Sequence, residues 1–446
     1  MGTILSVGAK ALTMVTALVC GVLTTRMVLG QAGVEHYALY TLLAALPGLV
    51  SFTDLGSGAV IVGGVATSPD VRHDARLTAQ VTTVGRVMLL SAATLLTANT
   101  VLYLSGGWAA VLGEAGDIPG APLAAFVCLS VFCLGVPLGI WQRVMLGLRK
   151  NHVIILLQGM QSPLTLLTVW TLLRLDEASI RPYLAIGSFG AAFTVGVLGL
   201  ALASRLTFPL LATAARRVPY PRRHPGTTVM DVGWPMLAQL IATPLSMTLQ
   251  RYVLAQSGTA TDMSEYGVVG QVFFALQGLV GAAGLTLWPA FTRARHTGDL
   301  RRGPFAISAL FAVAIAAVSA AVWLGREWIF EVITDGQLEV AGQSVLAFGA
   351  MVTVQAALYP LGMFIMDKPG IRFQVVPTLL MAASTVALAF ALTPSLGVVG
   401  PLLSNVVSVL VFQVVPFSLY IRRNRERLWS DPLRPRETVT DATGPA

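Results

Sequence analysis

RMVLGQAG (residues 26–33) is written a second time as RYVLAQSG (residues 251–258), and both read Arg-x-Val-Leu-x-Gln-x-Gly. Each closes a long apolar run, and 225 positions separate them. After a five-residue insertion the match continues at an offset of 230, where Glu35 meets Glu265 and Leu55 meets Leu285. Within it ALPGLVS (45–51) meets ALQGLVG (275–281) with five identities in seven. Apolar segments match easily by chance. Arg and Gln are uncommon inside such runs, so the first phrase carries more weight than the second. The two in order point to duplication.

The surrounding composition sets the solvent. Apolar residues make up 55% of the 446-residue chain and charged residues 11%, whereas a soluble domain carries about 25% charged residues. Twelve runs are long enough to cross a hydrocarbon core of roughly 30 Å. Their cores fall near 4–25, 37–65, 79–105, 121–148, 152–173, 182–204, 227–254, 263–291, 303–325, 340–366, 372–393 and 400–421. Helices are expected, because each closes its own backbone hydrogen bonds, and the period-2 alternation of a membrane barrel is absent. The expected fold is an all-α integral membrane protein of about twelve transmembrane helices.

The repeated phrase ends the first run and the seventh. Six is even, so the two halves share one orientation and form parallel six-helix lobes related by an axis along the membrane normal. The expected divisions are an N-terminal lobe at 1–204, a cytoplasmic linker at 205–226, a C-terminal lobe at 227–421 and a basic, disordered cytoplasmic tail at 422–446. With Met1 in the cytoplasm, connections on that side hold 22 Lys and Arg residues and those on the other side hold four. That asymmetry is the positive-inside rule and places both termini in the cytoplasm. It also explains the basic balance without nucleic acid. Cys20, Cys128 and Cys133 lie in apolar runs and read as packing residues.

Ionisable side chains within spans cost about 2.5–3.5 kcal/mol each on insertion scales. Lys10, Asp54 and Arg86 are the clearest, and their positions suit one cavity between helices 1, 2 and 3. Two cations and one carboxylate make an anion site with phosphate as the natural guest. The alternative is a structural ion pair of Asp54 with Arg86 or Lys10, or snorkelling of Lys10. Arg26 and Arg251, at the outer ends of helices 1 and 7, either snorkel or flank the outer mouth of an inter-lobe cavity. Gln158, Gln161 and Gln239 offer hydrogen bonds to a polar cargo or to a neighbouring helix. Asp231 opens helix 7 as a dipole partner. Short external connections, and the absence of a P-loop, a nucleophile motif or a metal-ligand cluster, point away from an enzyme and from a bound cofactor.

TTRMVLGQAGVEHYALYTLLAALPGLVSFTDLGSGAVIV resembles the opening of the polysaccharide-export and O-antigen flippase family, through Arg26, Leu29-Gly30, Tyr37 and Asp54-Leu55-Gly56. EYGVVGQVFFALQGLVGAAGLTLWPAFTRA is similar to the family's helix 8, with Pro289, Arg293 and Arg295 matching, and LGVVGPLLSNVVSVLV to its final helix. The resemblance implies membership of the multidrug/oligosaccharidyl-lipid/polysaccharide (MOP) superfamily, a cationic central cavity and alternating access. It further implies a bacterial inner-membrane protein that flips a polyprenyl-diphosphate-linked oligosaccharide, with membrane lipid and glycan-assembly enzymes as partners. Coupling to H+ or Na+ through Asp54 belongs to the same expectation. The lipid II flippase branch usually has fourteen helices, against twelve runs here. Rival readings are a multidrug and toxin extruder of the superfamily, a membrane glycan polymerase or ligase, and a scaffold that recruits partners.

Overall fold

The computed structural model describes residues 2–49, 58–175, 177–226, 234–297 and 303–429. Among the described residues all regular structure is helical. The N-terminal lobe comprises α1 (Gly2–Ala44), α2 (Leu46–Leu49), α3 (Gly58–Thr67), α4 (Ala75–Leu104), α5 (Gly107–Leu112), α6 (Ala121–Gly135), α7 (Ile140–Gly147), α8 (Asn151–Gly159), α9 (Gln161–Arg174) and α10 (Ile186–Leu206). A short 3-10 turn, Gly113–Asp117, follows α5, and α11 (Leu210–Arg217) lies in the connection between lobes. The C-terminal lobe comprises α12 (Trp234–Ser257), α13 (Ala260–Thr297), α14 (Pro304–Leu324), α15 (Arg326–Thr334), α16 (Gly342–Phe364), α17 (Lys368–Leu396), α18 (Val399–Val409) and α19 (Val415–Arg423). A last helix, α20 (Arg425–Trp429), corrects the expectation of disorder from residue 422, since its Leu428 is buried in an apolar cluster.

Nine helical stretches among the described residues are long and apolar enough to cross a membrane. The count reconciles with twelve sequence runs for two reasons. Gly33 stands at φ 84°, ψ 175° inside α1, a conformation open essentially to glycine alone, so α1 holds the first span and the beginning of the second. The seventh and eighth spans are present as α12 and α13, 24 and 38 residues long. The chain is a multi-pass membrane protein. Leu90 is 70% exposed, Leu104 78% and Val313 67%, a surface suited to lipid.

Proline sets the interruptions. Pro137 lacks an N–H, and the chain passes from α6 to α7 through a 3-10 turn, Val136–Gly139. Pro416 follows a π-helical turn at Leu410–Val414, which supplies the extra residue that a proline ring needs.

Helix pairing repeats between the lobes. In spans, helix 1 packs on 5, 3 on 4, 5 on 6, 2 on 4 and 4 on 6 in the first lobe, and 7 on 11, 9 on 10, 11 on 12, 8 on 10 and 10 on 12 in the second. Contacts between lobes are mirrored too. Helix α1 packs on α13 and α15, while α12 packs on α2, α5 and the 3-10 turn. These are two parallel six-helix lobes. The repeated phrase occupies matching environments, with Val28, Leu29, Val253 and Leu254 all buried and Gln31 and Gln256 exposed.

The apolar core shows where the lobes join. One cluster runs through both lobes, from Leu29 and Leu42 to Tyr266 and Phe348. Two others stay within single lobes: one around Val81, Trp141 and Leu210, the other around Phe291, Phe364 and Phe417. The shared cluster lies toward the face where α1 meets Gly33. The separate clusters lie toward the face bearing the basic connections. The lobes are fused at one face and parted at the other, here called the opposite face and the basic face.

Candidate functional site

The parting of the lobes leaves a cavity of about 380 Å³ between α1, the α8–α9 pair and α13. Its walls carry Lys10 and Thr13 from α1, Gln158 and Ser162 from the fifth span, and Gln271 and Phe274 from α13. Glycines bring the walls together at its edges, since a Cβ on Gly159 would strike Thr13 and one on Gly21 would strike the Gln271 amide. Lys10 is the only charged residue lining the cavity among the described residues, and its ammonium has no ion-pair or hydrogen-bond partner there. An uncompensated ammonium at membrane depth needs water or an anion beside it.

Above the cavity the lobes are sealed by polar contacts that cross between them. Thr25 donates to Gln271 Oε1 at 3.0 Å, and Ser264 donates to the Val34 carbonyl at 2.8 Å. Arg251 donates to the Thr41 carbonyl at 3.1 Å, and the Tyr252 hydroxyl to the Leu42 carbonyl at 3.3 Å. These carbonyls lie beside the break before Pro47, where the Ala45 N–H bonds Leu42 rather than Thr41, so the Thr41 oxygen is free for an outside donor. Toward the opposite face Gln256 donates to the Ala110 and Val111 carbonyls, and the Ala260 N–H donates to Glu114. Arg26 pairs with Asp335, which sits in the left-handed conformation at the end of α15.

The candidate residues therefore separate. Lys10 and Gln158 share the inter-lobe cavity. Arg26 and Arg251, the repeated arginines, each reach into the other lobe. Arg251 is also held over the rings of Tyr266 and Phe274, 5.5 and 5.4 Å from their centroids, so one ring separates its charge from the cavity. Gln161 lines a different hollow of about 480 Å³ inside the N-terminal lobe, with Gln142, Arg143 and Ser188. Asp54 and Asp231 lie outside the described residues, as does the side chain of Gln239.

Arg86 requires a correction: it does not join Lys10. Its Nε donates to the Val218 carbonyl at 3.1 Å, and its two terminal nitrogens to the carbonyls of Arg217 and His224, each at 2.8 Å. The guanidinium fork is filled by the inter-lobe connection. Carbonyls at the end of α11 have no intrahelical donor, and a cation is favoured there.

Sequence reasoning missed Gln271, Asp335, Glu114 and Gln256. Gln256 stands in the repeated phrase itself, opposite Gln31, so its exposure was open to inference. Asp335 precedes Gly336 in a turn sequence, which gives no hint of a partner 309 residues away.

No protein-family model and no curated protein matches the chain. Solved structures do. The chain is similar to a multidrug-resistance MATE-family transporter of the MOP superfamily in an inward-facing conformation, with a TM-score of 0.65, 15% identity, and coverage of 94% of this chain and 99% of that one. It is similar to the lipid II flippase MurJ in an inward closed conformation, with a TM-score of 0.67, 10% identity, and coverage of 96% and 90%. It is also similar to a MATE transporter in the bent conformation, with a TM-score of 0.52, 15% identity, and coverage of 96% and 98%. The chain has the fold of MOP-superfamily transporters.

Proposed function

We propose that this protein is a transporter that carries an anionic, lipid-linked head group across the membrane by rocking its two lobes, with a polyprenyl-diphosphate-linked oligosaccharide as cargo. The observation that carries the reading is the unpartnered Lys10 as the sole charge on the inter-lobe cavity wall among the described residues. A cationic wall attracts a diphosphate and repels the cationic compounds that a drug extruder would take. The cavity volume of about 380 Å³ falls within the roughly 300–1,000 Å³ of small-molecule sites. It suits a diphosphate and the first sugar, with the prenyl chain left in lipid.

The basic face is cytoplasmic in this reading, because the lysine- and arginine-rich connections lie there. The head group enters from that face and meets Lys10, with Thr13, Gln158 and Ser162 offering hydrogen bonds. Rocking then closes the basic face and breaks the polar seal on the opposite face. That seal suits reversal, because its bonds end on carbonyls and exposed side chains that water can satisfy. Opening brings Gln271 and Phe274, with Arg251 behind them, toward the new mouth. A second cation then follows the anion outward. Coupling of the cycle to H+ or Na+ through Asp54 belongs to the same proposal.

Depletion of the protein tests the reading. Lipid-linked glycan is expected to accumulate in the cytoplasmic leaflet while its synthesis continues. Normal surface glycan with no accumulated intermediate would rule the flippase out. Sensitivity to cationic drugs in place of accumulation would establish the extruder.

A further inference from the structure

The connection between the lobes is built as more than a tether. Helix α11 buries Leu210, Leu211 and Ala214 and packs on α4. Beyond it the chain is drawn back onto α4 by the three bonds from Arg86 to the carbonyls of Arg217, Val218 and His224. Arg86 lies in a membrane span, so this clamp holds the connection at the level of the lipid head groups rather than letting it extend into water.

What the clamped segment shows to its surroundings is strongly one-signed. Residues 205–226 contain no Asp or Glu. Arg216, Arg222 and Arg223 are exposed and Arg217 is partly so. Among the described residues none of the four has a carboxylate partner. Phe208 and Tyr220 flank the helix and are 66% and 56% exposed. Exposed aromatics beside unpaired arginines match the layered chemistry of a membrane–water interface. Arginine pairs phosphate through two parallel hydrogen bonds.

We propose that the 205–226 connection is a docking platform for anionic phospholipid head groups of the leaflet at the basic face, with Arg86 as the positioning residue that holds it in place. Each basic side chain beside an anionic surface strengthens attraction about fivefold, so four acting together give a pronounced preference for acidic lipid. The proposal does not depend on which cargo the cavity accepts.

The test uses the full-length protein equilibrated in mixed micelles containing equal phosphatidylglycerol and phosphatidylcholine, with the lipid retained after purification then quantified. The wild-type protein is expected to retain phosphatidylglycerol several-fold over phosphatidylcholine. The fourfold Arg216→Gln, Arg217→Gln, Arg222→Gln, Arg223→Gln variant should lose at least two-thirds of that excess, and the corresponding lysine variant should keep most of it. Raising NaCl from 0.1 to 1 M should erode the wild-type preference, because the screening length falls from about 10 to about 3 Å; this arm needs no variant to fold. Arg86→Gln should lower the preference without removing any platform arginine. A glutamine variant that retains the wild-type lipid ratio, or a wild-type preference indifferent to salt, overturns the proposal. So does a glutamine variant that keeps its phosphatidylglycerol but no longer binds farnesyl diphosphate, since the platform would then serve the cargo.

Discussion

Arg26 of the N-terminal lobe is ion-paired with Asp335 of the C-terminal lobe, on the face opposite to the Lys10 cavity. The side chains are 40% and 61% exposed, and pairs of that kind contribute about 0–1 kcal/mol. A contact so weak does not hold a fold together. It is suited to bias an equilibrium between two arrangements of the lobes. Arg26→Ala and Asp335→Ala should each increase opening at the opposite face, by up to about fivefold for ~1 kcal/mol. The exchanged pair, Arg26→Asp with Asp335→Arg, should restore closure. Disulfide cross-linking between Ala110→Cys and Gln256→Cys reads the closed state, because the Gln256 side chain reaches the Ala110 carbonyl across the lobes.

Gly113 offers a second lever on the same equilibrium. Its φ is +59°, and an added Cβ would press on the Ala255 backbone of the other lobe, 2.8 Å from its carbonyl carbon. Backbone cannot yield as a flexible side chain can, and a non-glycine residue in such a conformation costs about 1–3 kcal/mol. Gly113→Ala should lower the same cross-linking yield more than Arg26→Ala does. An undiminished yield would show that this approach is not needed for closure.

Arg251 is the half-buried counterpart of Arg26. It combines one hydrogen bond to the Thr41 carbonyl with two aromatic faces. A cation over an aromatic ring gains about 0.5–1 kcal/mol when exposed and about 2 kcal/mol or more when desolvated, and half-buried Arg251 falls between the two. Arg251→Ala should lower the melting temperature in detergent more than Arg26→Ala does. Arg251→Lys should recover only part of it, because an ammonium keeps the charge but loses the planar stack.

Much of this architecture was legible in the sequence, for reasons specific to the residues. The apolar runs carry their own length, so the spans and the parallel repeat followed from 26–33 and 251–258. The break at Gly33 was visible only as the end of a run. Lys10 could be placed at membrane depth because its position in span 1 fixes it. Arg86 was placed at a similar depth, but its direction was not legible. Its partners lie 131 to 138 residues away, and they are backbone carbonyls that leave no mark on side-chain pattern. The inter-lobe seal was hidden for the same reason. Five of its eight bonds end on backbone carbonyls, those of Val34, Thr41, Leu42, Ala110 and Val111.

On the basic face Asp74 caps α4. It accepts from the Leu77 N–H at 3.0 Å and from the Ser68 hydroxyl at 2.8 Å. The Leu77 N–H foremost, and then the Ser68 hydroxyl, hold its carboxyl below the usual carboxylate range. A depressed folded value means that this stabilisation is fully present above the unfolded carboxylate pKa of about 3.9. It is lost as pH falls through the lower, folded value. Thermal unfolding of the wild-type protein between pH 6 and pH 3 should show this acid-side loss, and Asp74→Asn should flatten it. An identical acid limb in the variant would assign the loss to other carboxylates.

The most direct measurement is equilibrium binding of farnesyl diphosphate, with farnesol and a cationic dye as comparisons, to the purified wild-type protein and to Lys10→Gln, Lys10→Arg and Lys10→Glu. The wild-type protein should bind the diphosphate in preference to both comparisons. Lys10→Arg should retain that binding, Lys10→Gln should weaken it about tenfold or more, in keeping with the roughly 1.5–3 kcal/mol of a charged hydrogen bond, and Lys10→Glu should reverse the preference toward the cation. Equal binding of diphosphate by all four proteins, or a wild-type preference for the cationic dye, would contradict the assignment of the Lys10 cavity to an anionic head group.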